Sequence, residues 1–179
     1  MTDQPDQTDE PIDDATTPAQ STPTDGEARA LAALEASGLR FRIVRHGPVR
    51  SLEEAAAARR LKPEQLIKTL VVRRADDDYL FVLVPGGRTI SWPKLRALLG
   101  VARLSMPDAA VAREVTGYER GTITPFGATT AWPVIADARV AGQAVSIGAG
   151  AHGVAATVDG SRLALALGAT VADVTDPEG

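Results

Sequence analysis

The chain has 179 residues, 44% of them hydrophobic, a formal net charge of −4 and no cysteine. This is enough apolar content for one domain with a buried core, and it excludes disulfides, a thiol nucleophile and cysteine-type zinc sites. There is no run of roughly 18 apolar residues to span a membrane and no basic start followed by an apolar stretch to act as a secretory signal. Two histidines, His46 and His152, are too few for a His-rich metal site, so a cytoplasmic protein without metal or cofactor is expected.

Residues 1–26 hold seven acids, no lysine or arginine, four prolines and no aromatic residue. Such a segment cannot bury enough surface to offset its ordering entropy and is expected to be disordered. The remainder holds 23 − 7 = 16 acids against 19 bases. That formal +3 permits a nucleic-acid partner without presenting a strongly basic footprint. The folded domain is expected over 27–175, with 176–179 as a short C-terminal tail.

Apolar spacing over Glu27–Ser37 predicts a helix stopped by Gly38, and the alternation of Leu39–Arg45 predicts a strand. Ser51-Leu52-Glu53-Glu54 is a capping box opening an alanine-rich helix to about Arg60. Pro63 starts a turn into an apolar strand containing Lys68. Asp76–Asp78 turns it into Tyr79–Val84, a strand covered on both faces. Helices follow from Ser91 to Leu99 and from Asp108 to Thr116, ended by Gly100 and Gly117, with a brief strand at Val101–Leu104 between them. Further strands are expected at Pro133–Asp137, Gln143–Ile147, Val154–Val158 and Thr170–Val174, and a helix at Ser161–Leu167. Several connections are too short for parallel crossovers. The fold class is therefore α+β, a single domain with a mixed, mostly antiparallel sheet flanked by helices.

Lys68 is one of only three lysines in a chain that otherwise uses arginine, and it interrupts an apolar strand. An ammonium there needs a partner or a ligand; the alternative is a strand-end lysine snorkelling to water. Two loops, Gly121–Gly127 with Pro125 and Gly148–Gly153 with Gly150 and His152, offer close backbone approach and amides for an oxyanion. Gly148-x-Gly150-x-x-Gly153 also matches the dinucleotide fingerprint, but the strand-like Val154–Val158 follows where a helix N-terminus is required. His46 lies at a strand end before Gly47-Pro48, where it is either a capping or a site residue. No Ser-His-Asp arrangement or carboxylate pair emerges from the spacing.

Taken in order, these motifs resemble the YbaK/ProX family, related to the editing domain inserted in bacterial prolyl-tRNA synthetases. The resemblance covers about Glu27 to Thr175. It rests on His46-Gly47-Pro48-Val49 with Ser51-Leu52-Glu53-Glu54, on Leu66-Ile67-Lys68-Thr69-Leu70 and on Gly117-Tyr118-Glu119-Arg120-Gly121 running into Thr124-Pro125-Phe126-Gly127. Val134-Ile135-Ala136-Asp137, the Gly148–Gly153 loop and Ala172-Asp173-Val174 complete it.

The resemblance implies a hydrolase of mischarged aminoacyl-tRNA that uses no protein nucleophile, with Lys68 as the essential lysine and the two glycine loops around the substrate. Its implied partners are an aminoacyl-tRNA and a synthetase. A non-catalytic domain of the same fold, holding an aminoacyl-adenosine-like ligand, is the alternative. In the branch that removes cysteine from prolyl-tRNA, a serine and an acidic residue stand where this chain has Gly148 and Ala155. Cysteine specificity therefore does not follow from the resemblance.

Overall fold

The computed structural model describes residues 24–179. The expected disorder of residues 1–26 falls outside the described residues except for Thr24–Gly26. Those three belong to the first helix, α1 (Asp25–Ala36), and its cap: the Thr24 hydroxyl accepts from the Glu27 amide at 3.2 Å.

After β1 (Arg42–Arg45) comes α2 (Leu52–Arg59), capped by Ser51. A single 3₁₀ turn leads into β2 (Leu66–Ala75), which returns as β3 (Asp78–Pro85). Then follow β4 (Arg88–Ile90), α3 (Trp92–Leu99), α4 (Ala109–Thr116), β5 (Val134–Asp137), β6 (Ala144–Gly148) and β7 (Val154–Asp159). The chain closes with α5 (Gly160–Ala166), β8 (Thr170–Ala172) and β9 (Thr175–Pro177). Gly100 and Gly117 end α3 and α4 in the left-handed conformation, as the sequence requires.

Seven strands form one sheet in the order β1-β7-β6-β2-β3-β5-β8, and β4 pairs with β9 in a separate ribbon. Antiparallel pairs are β1–β7, β6–β7, β2–β3 and β4–β9, while β2–β6, β3–β5 and β5–β8 are parallel. The α+β expectation of a mixed sheet with flanking helices holds. Two local expectations do not. Val101–Leu104 forms no strand; only the next residue, Ser105, makes a bridge, to Arg73, and Pro107 with no N–H cannot extend it. The expected tail at 176–179 is partly built in, since Asp176 and Pro177 pair with Thr89 and Arg88.

Side chains of β2 alternate between two unequal cores. Ile67 and Val71 join the larger one with Leu34 of α1, Ala112 of α4 and Leu163 of α5. On the opposite face Leu66 packs with Ala55 and Ala56 of α2, whereas Leu70 and Val72 pack with Leu95 of α3, Ile90 and Val174. Lys68 lies on that second face between Leu66 and Leu70. It therefore stands in the seam between two small apolar clusters, where neither covers it.

Candidate active site

Lys68 is half-buried, and its position is fixed by the β4–β9 ribbon. Its ammonium donates to the Arg88 carbonyl at 2.9 Å and to Glu178 Oε1 at 3.4 Å. An ammonium has three N–H donors, so one remains for a ligand. The ribbon is itself pinned to the sheet. Arg88 Nε donates to the Thr175 hydroxyl at 2.7 Å, and that hydroxyl donates to Asp137 Oδ2 at 2.9 Å. Asp137 is fully buried. Burial pushes its carboxyl up, but donation from the Arg139 amide, the Thr175 hydroxyl, the Val174 amide and the Arg139 side chain outweighs this and holds it below the ordinary carboxylate range.

Beside Lys68 the sheet floor is nearly bare. The parallel pairs Leu66–Ser146 and Ile67–Ile147 bring Gly148 to the level of Lys68, and Gly148 pairs with Ala155 on the next strand. A Cβ at Gly148 would stand 3.4 Å from the Ile123 carbonyl and 3.9 Å from that of Thr122. Those two oxygens therefore border the space, and neither accepts a hydrogen bond among the described residues. The Gly121 and Ile123 amides of this loop and the Ala151 and His152 amides of the second loop donate to no protein acceptor among the described residues.

The expected site residues divide into two groups. Lys68 and Gly148 share one face of the sheet, Gly121 adjoins His152, and the His46 ring meets Arg59. His152 Cε1 would lie 3.2 Å from a Cβ at Gly121, so this exposed ring bridges the two loops. Gly127, Gly150 and Gly153 face backbone instead: a Cβ would meet Arg29 O at 2.5 Å, Gly26 O at 2.3 Å and His46 O at 2.3 Å, all at positive φ. They let the loops lie against α1 and β1. Pro125 sits within the first loop, partly buried.

Several participants were not among the expected site residues. Buried Tyr118 donates its hydroxyl to the Phe126 carbonyl at 2.6 Å and packs behind Gly150, so both glycine loops rest on it. Glu178 reaches Lys68 from what reads as a tail. Arg59, the last residue of α2, donates from Nε to His46 Nε2 at 3.2 Å and from Nη1 to the Ser146 hydroxyl at 3.2 Å. Accepting at Nε2 leaves the ring proton on Nδ1, which donates to the Gly47 carbonyl at 2.8 Å. Burial lowers the Arg59 pKa.

The second glycine loop leads directly into β7; without a helix there, the dinucleotide reading fails. Among the described residues no group of three or more His, Asp or Glu is placed to hold a metal ion, and no helix is long and apolar enough to cross a membrane. What the geometry offers is a cation on the sheet beside Gly148 and unpaired backbone polar groups in the adjoining loops.

The family model described as an aminoacyl-tRNA editing domain matches residues 46–165, and the chain belongs to that family. It is similar to the proline–tRNA ligase of Heliobacterium modesticaldum, 36% identical over 91 residues covering 51% of this chain and 16% of the ligase. The ligase of Thermosipho africanus is 34% identical over 80 residues, covering 45% and 14%. The chain thus spans a small part of these ligases. A crystal structure described as a candidate trans-editing enzyme for prolyl tRNA synthetase superposes with a TM-score of 0.77 at 27% identity, covering 87% of this chain and 99% of that one. A protein described only as hypothetical superposes at 0.75 with 25% identity, covering 83% and 99%.

Proposed function

We propose that this protein is a trans-acting aminoacyl-tRNA deacylase that hydrolyses the ester of a small amino acid wrongly attached to tRNA-Pro or a related tRNA, in the cytoplasmic setting of translation. The observation that carries the reading is Lys68, held with one free N–H beside the bare floor at Gly148, with unpaired amides in both glycine loops. Membership of the editing family and the likeness to a candidate trans-editing enzyme support it. Delivery of the tRNA by prolyl-tRNA synthetase belongs to the same reading.

A water oxygen attacks the ester carbonyl, and the ribose hydroxyl next to the ester takes part in moving its proton. The carbonyl oxygen becomes an oxyanion, stabilised by the Lys68 ammonium and by loop amides preorganised toward it. Collapse breaks the bond to the ribose oxygen, which leaves with a proton, and releases free amino acid and intact tRNA. The Ile123 and Thr122 carbonyls are suited to accept from the α-ammonium of the aminoacyl group. Gly148 and Ala155 leave little room beyond it, which favours small side chains. The assay is a panel of tRNAs charged with alanine, serine, cysteine, proline and phenylalanine, followed by ester loss. Hydrolysis of the small misacylated tRNAs and sparing of phenylalanyl-tRNA is expected. Tight binding of the panel without ester loss would assign the domain to ligand holding instead.

A further inference from the structure

Arg59 is a cation that the reaction described above does not use. Burial desolvates it and pushes its pKa below the ordinary arginine value, yet both its partners, the His46 ring and the Ser146 hydroxyl, are neutral. No carboxylate lies within ion-pair distance of it among the described residues. A desolvated guanidinium without a counter-charge is costly, and three of its five N–H donors are left for a ligand. The partners that orient it are firmly placed. Ser146 is fully buried in β6, and His46 is tied through its amide to the Gly153 carbonyl at 2.9 Å.

Its location gives the ligand. Ser146 precedes Gly148 by two residues on β6, so both face the same side of the sheet, about 7 Å apart along the strand. Arg59, held at Ser146, and Lys68, at the level of Gly148, therefore stand on the same face of the sheet, about two residues apart along the strand direction. The 3′ end of an aminoacyl-tRNA carries no carboxylate, because that group is consumed in the ester. Its only anions are phosphates. With the ester at Lys68, the nearest phosphate is the one on the 5′ side of the same terminal nucleoside, one ribose away. A planar guanidinium fork matches two phosphate oxygens.

We propose that Arg59 is the phosphate-binding residue of this site, receiving the phosphodiester on the 5′ side of the terminal adenosine whose ribose bears the aminoacyl ester. The inference rests on the deacylase reading for the identity of the substrate, and its test separates the two.

Two small ester substrates are compared: 3′-aminoacyl-adenosine, and the same compound with a 5′-monophosphate. The wild-type protein should prefer the phosphorylated one by tenfold to a hundredfold in kcat/KM, the range expected for a charge-assisted pair, expressed mainly in KM. In Arg59→Gln this ratio should fall toward one. Arg59→Lys, which keeps the charge without the fork, should give an intermediate ratio. A strut that merely ties α2 to the sheet would lower both substrates together and leave the ratio intact, and that result would overturn the proposal. So would a wild-type ratio of one. Independently of turnover, binding of adenosine 5′-monophosphate and adenosine to the wild-type protein and to Arg59→Gln is measured by calorimetry. An Arg59-dependent preference for the monophosphate in a protein that hydrolyses no ester sustains the phosphate site while refuting the deacylase. Ester hydrolysis with no such preference does the reverse.

Discussion

Gly148 ends β6 and Gly150 follows it by two positions in the adjoining loop, and their replacement by alanine should have opposite consequences. Gly150 has φ +83°, and a Cβ there would stand 2.3 Å from Gly26 O, 2.7 Å from Gly26 C and 3.0 Å from Tyr118 Cε1. The left-handed backbone costs a non-glycine residue roughly 1–2 kcal/mol. Forcing a methyl against backbone adds about 1–3 kcal/mol, for a total of about 2–5 kcal/mol out of a stability on the order of 5–15 kcal/mol. In a domain of this size that is a fall in melting temperature of roughly 4–20 °C. Gly148 has no positive φ, and its nearest Cβ contact, 3.4 Å to Ile123 O, is ordinary van der Waals distance. Gly148→Ala should keep wild-type stability and instead occupy space beside Lys68, slowing larger aminoacyl groups more than smaller ones. Denaturant unfolding of both variants, with the tRNA panel run on the folded fraction, gives the comparison. If Gly150→Ala unfolds with the wild-type midpoint, or Gly148→Ala loses as much stability as Gly150→Ala, the division of these glycines into packing and substrate-facing positions is wrong.

Lys68→Ala should lower deacylation by roughly 10²–10³ with the melting temperature preserved, and Lys68→Arg should fail to restore it because the guanidinium does not fit between the Arg88 carbonyl and Glu178; near-normal turnover in Lys68→Ala would remove the residue from the mechanism. Deleting residues 1–23 removes six acids and no base and should leave melting unchanged while tightening tRNA binding at low salt. Extending the deletion through Gly26 should cost about 1 kcal/mol, because it also takes the Thr24 cap; equal melting of the two truncations would contradict this. Asp137 titrates below its unfolded value, so its contribution to stability is complete above the unfolded carboxylate pKa of about 3.9 and is lost as pH falls through the lower folded value. Asp137→Asn should flatten that acid limb in a pH series of unfolding midpoints, and an unchanged limb would assign the acid sensitivity elsewhere.

Long periodic elements are legible in the amino-acid sequence. Ser51 and Asp108 mark helix starts, Gly100 and Gly117 mark stops, and the apolar runs on either side of Asp76–Asp78 form the β2–β3 hairpin, because each depends on neighbours within a few residues. β4 and β9 are not legible there. Each has three residues, too few for a period, and each exists only because the other lies beside it, with Arg88 paired to Pro177. Val101–Leu104 shows the converse, a stretch with strand propensity but no strand partner, the single bridge falling on the next residue, Ser105.

For the site, the sequence alone determined the chemistry on offer: a rare lysine in an apolar strand, two glycine loops, no thiol and no defensible nucleophile, in an order that marks the family. Only the tertiary structure decided how those parts divide. It placed Lys68 in the seam between two small cores, gave it the Arg88 carbonyl and Glu178 as partners from 20 and 110 residues away, and turned three of the expected glycines toward backbone. It also brought Arg59 of an alanine-rich helix onto Ser146, 87 residues away. Residue type and spacing set what a side chain can donate or accept, while its partners depend on contacts between segments distant in the chain, which local periodicity does not encode.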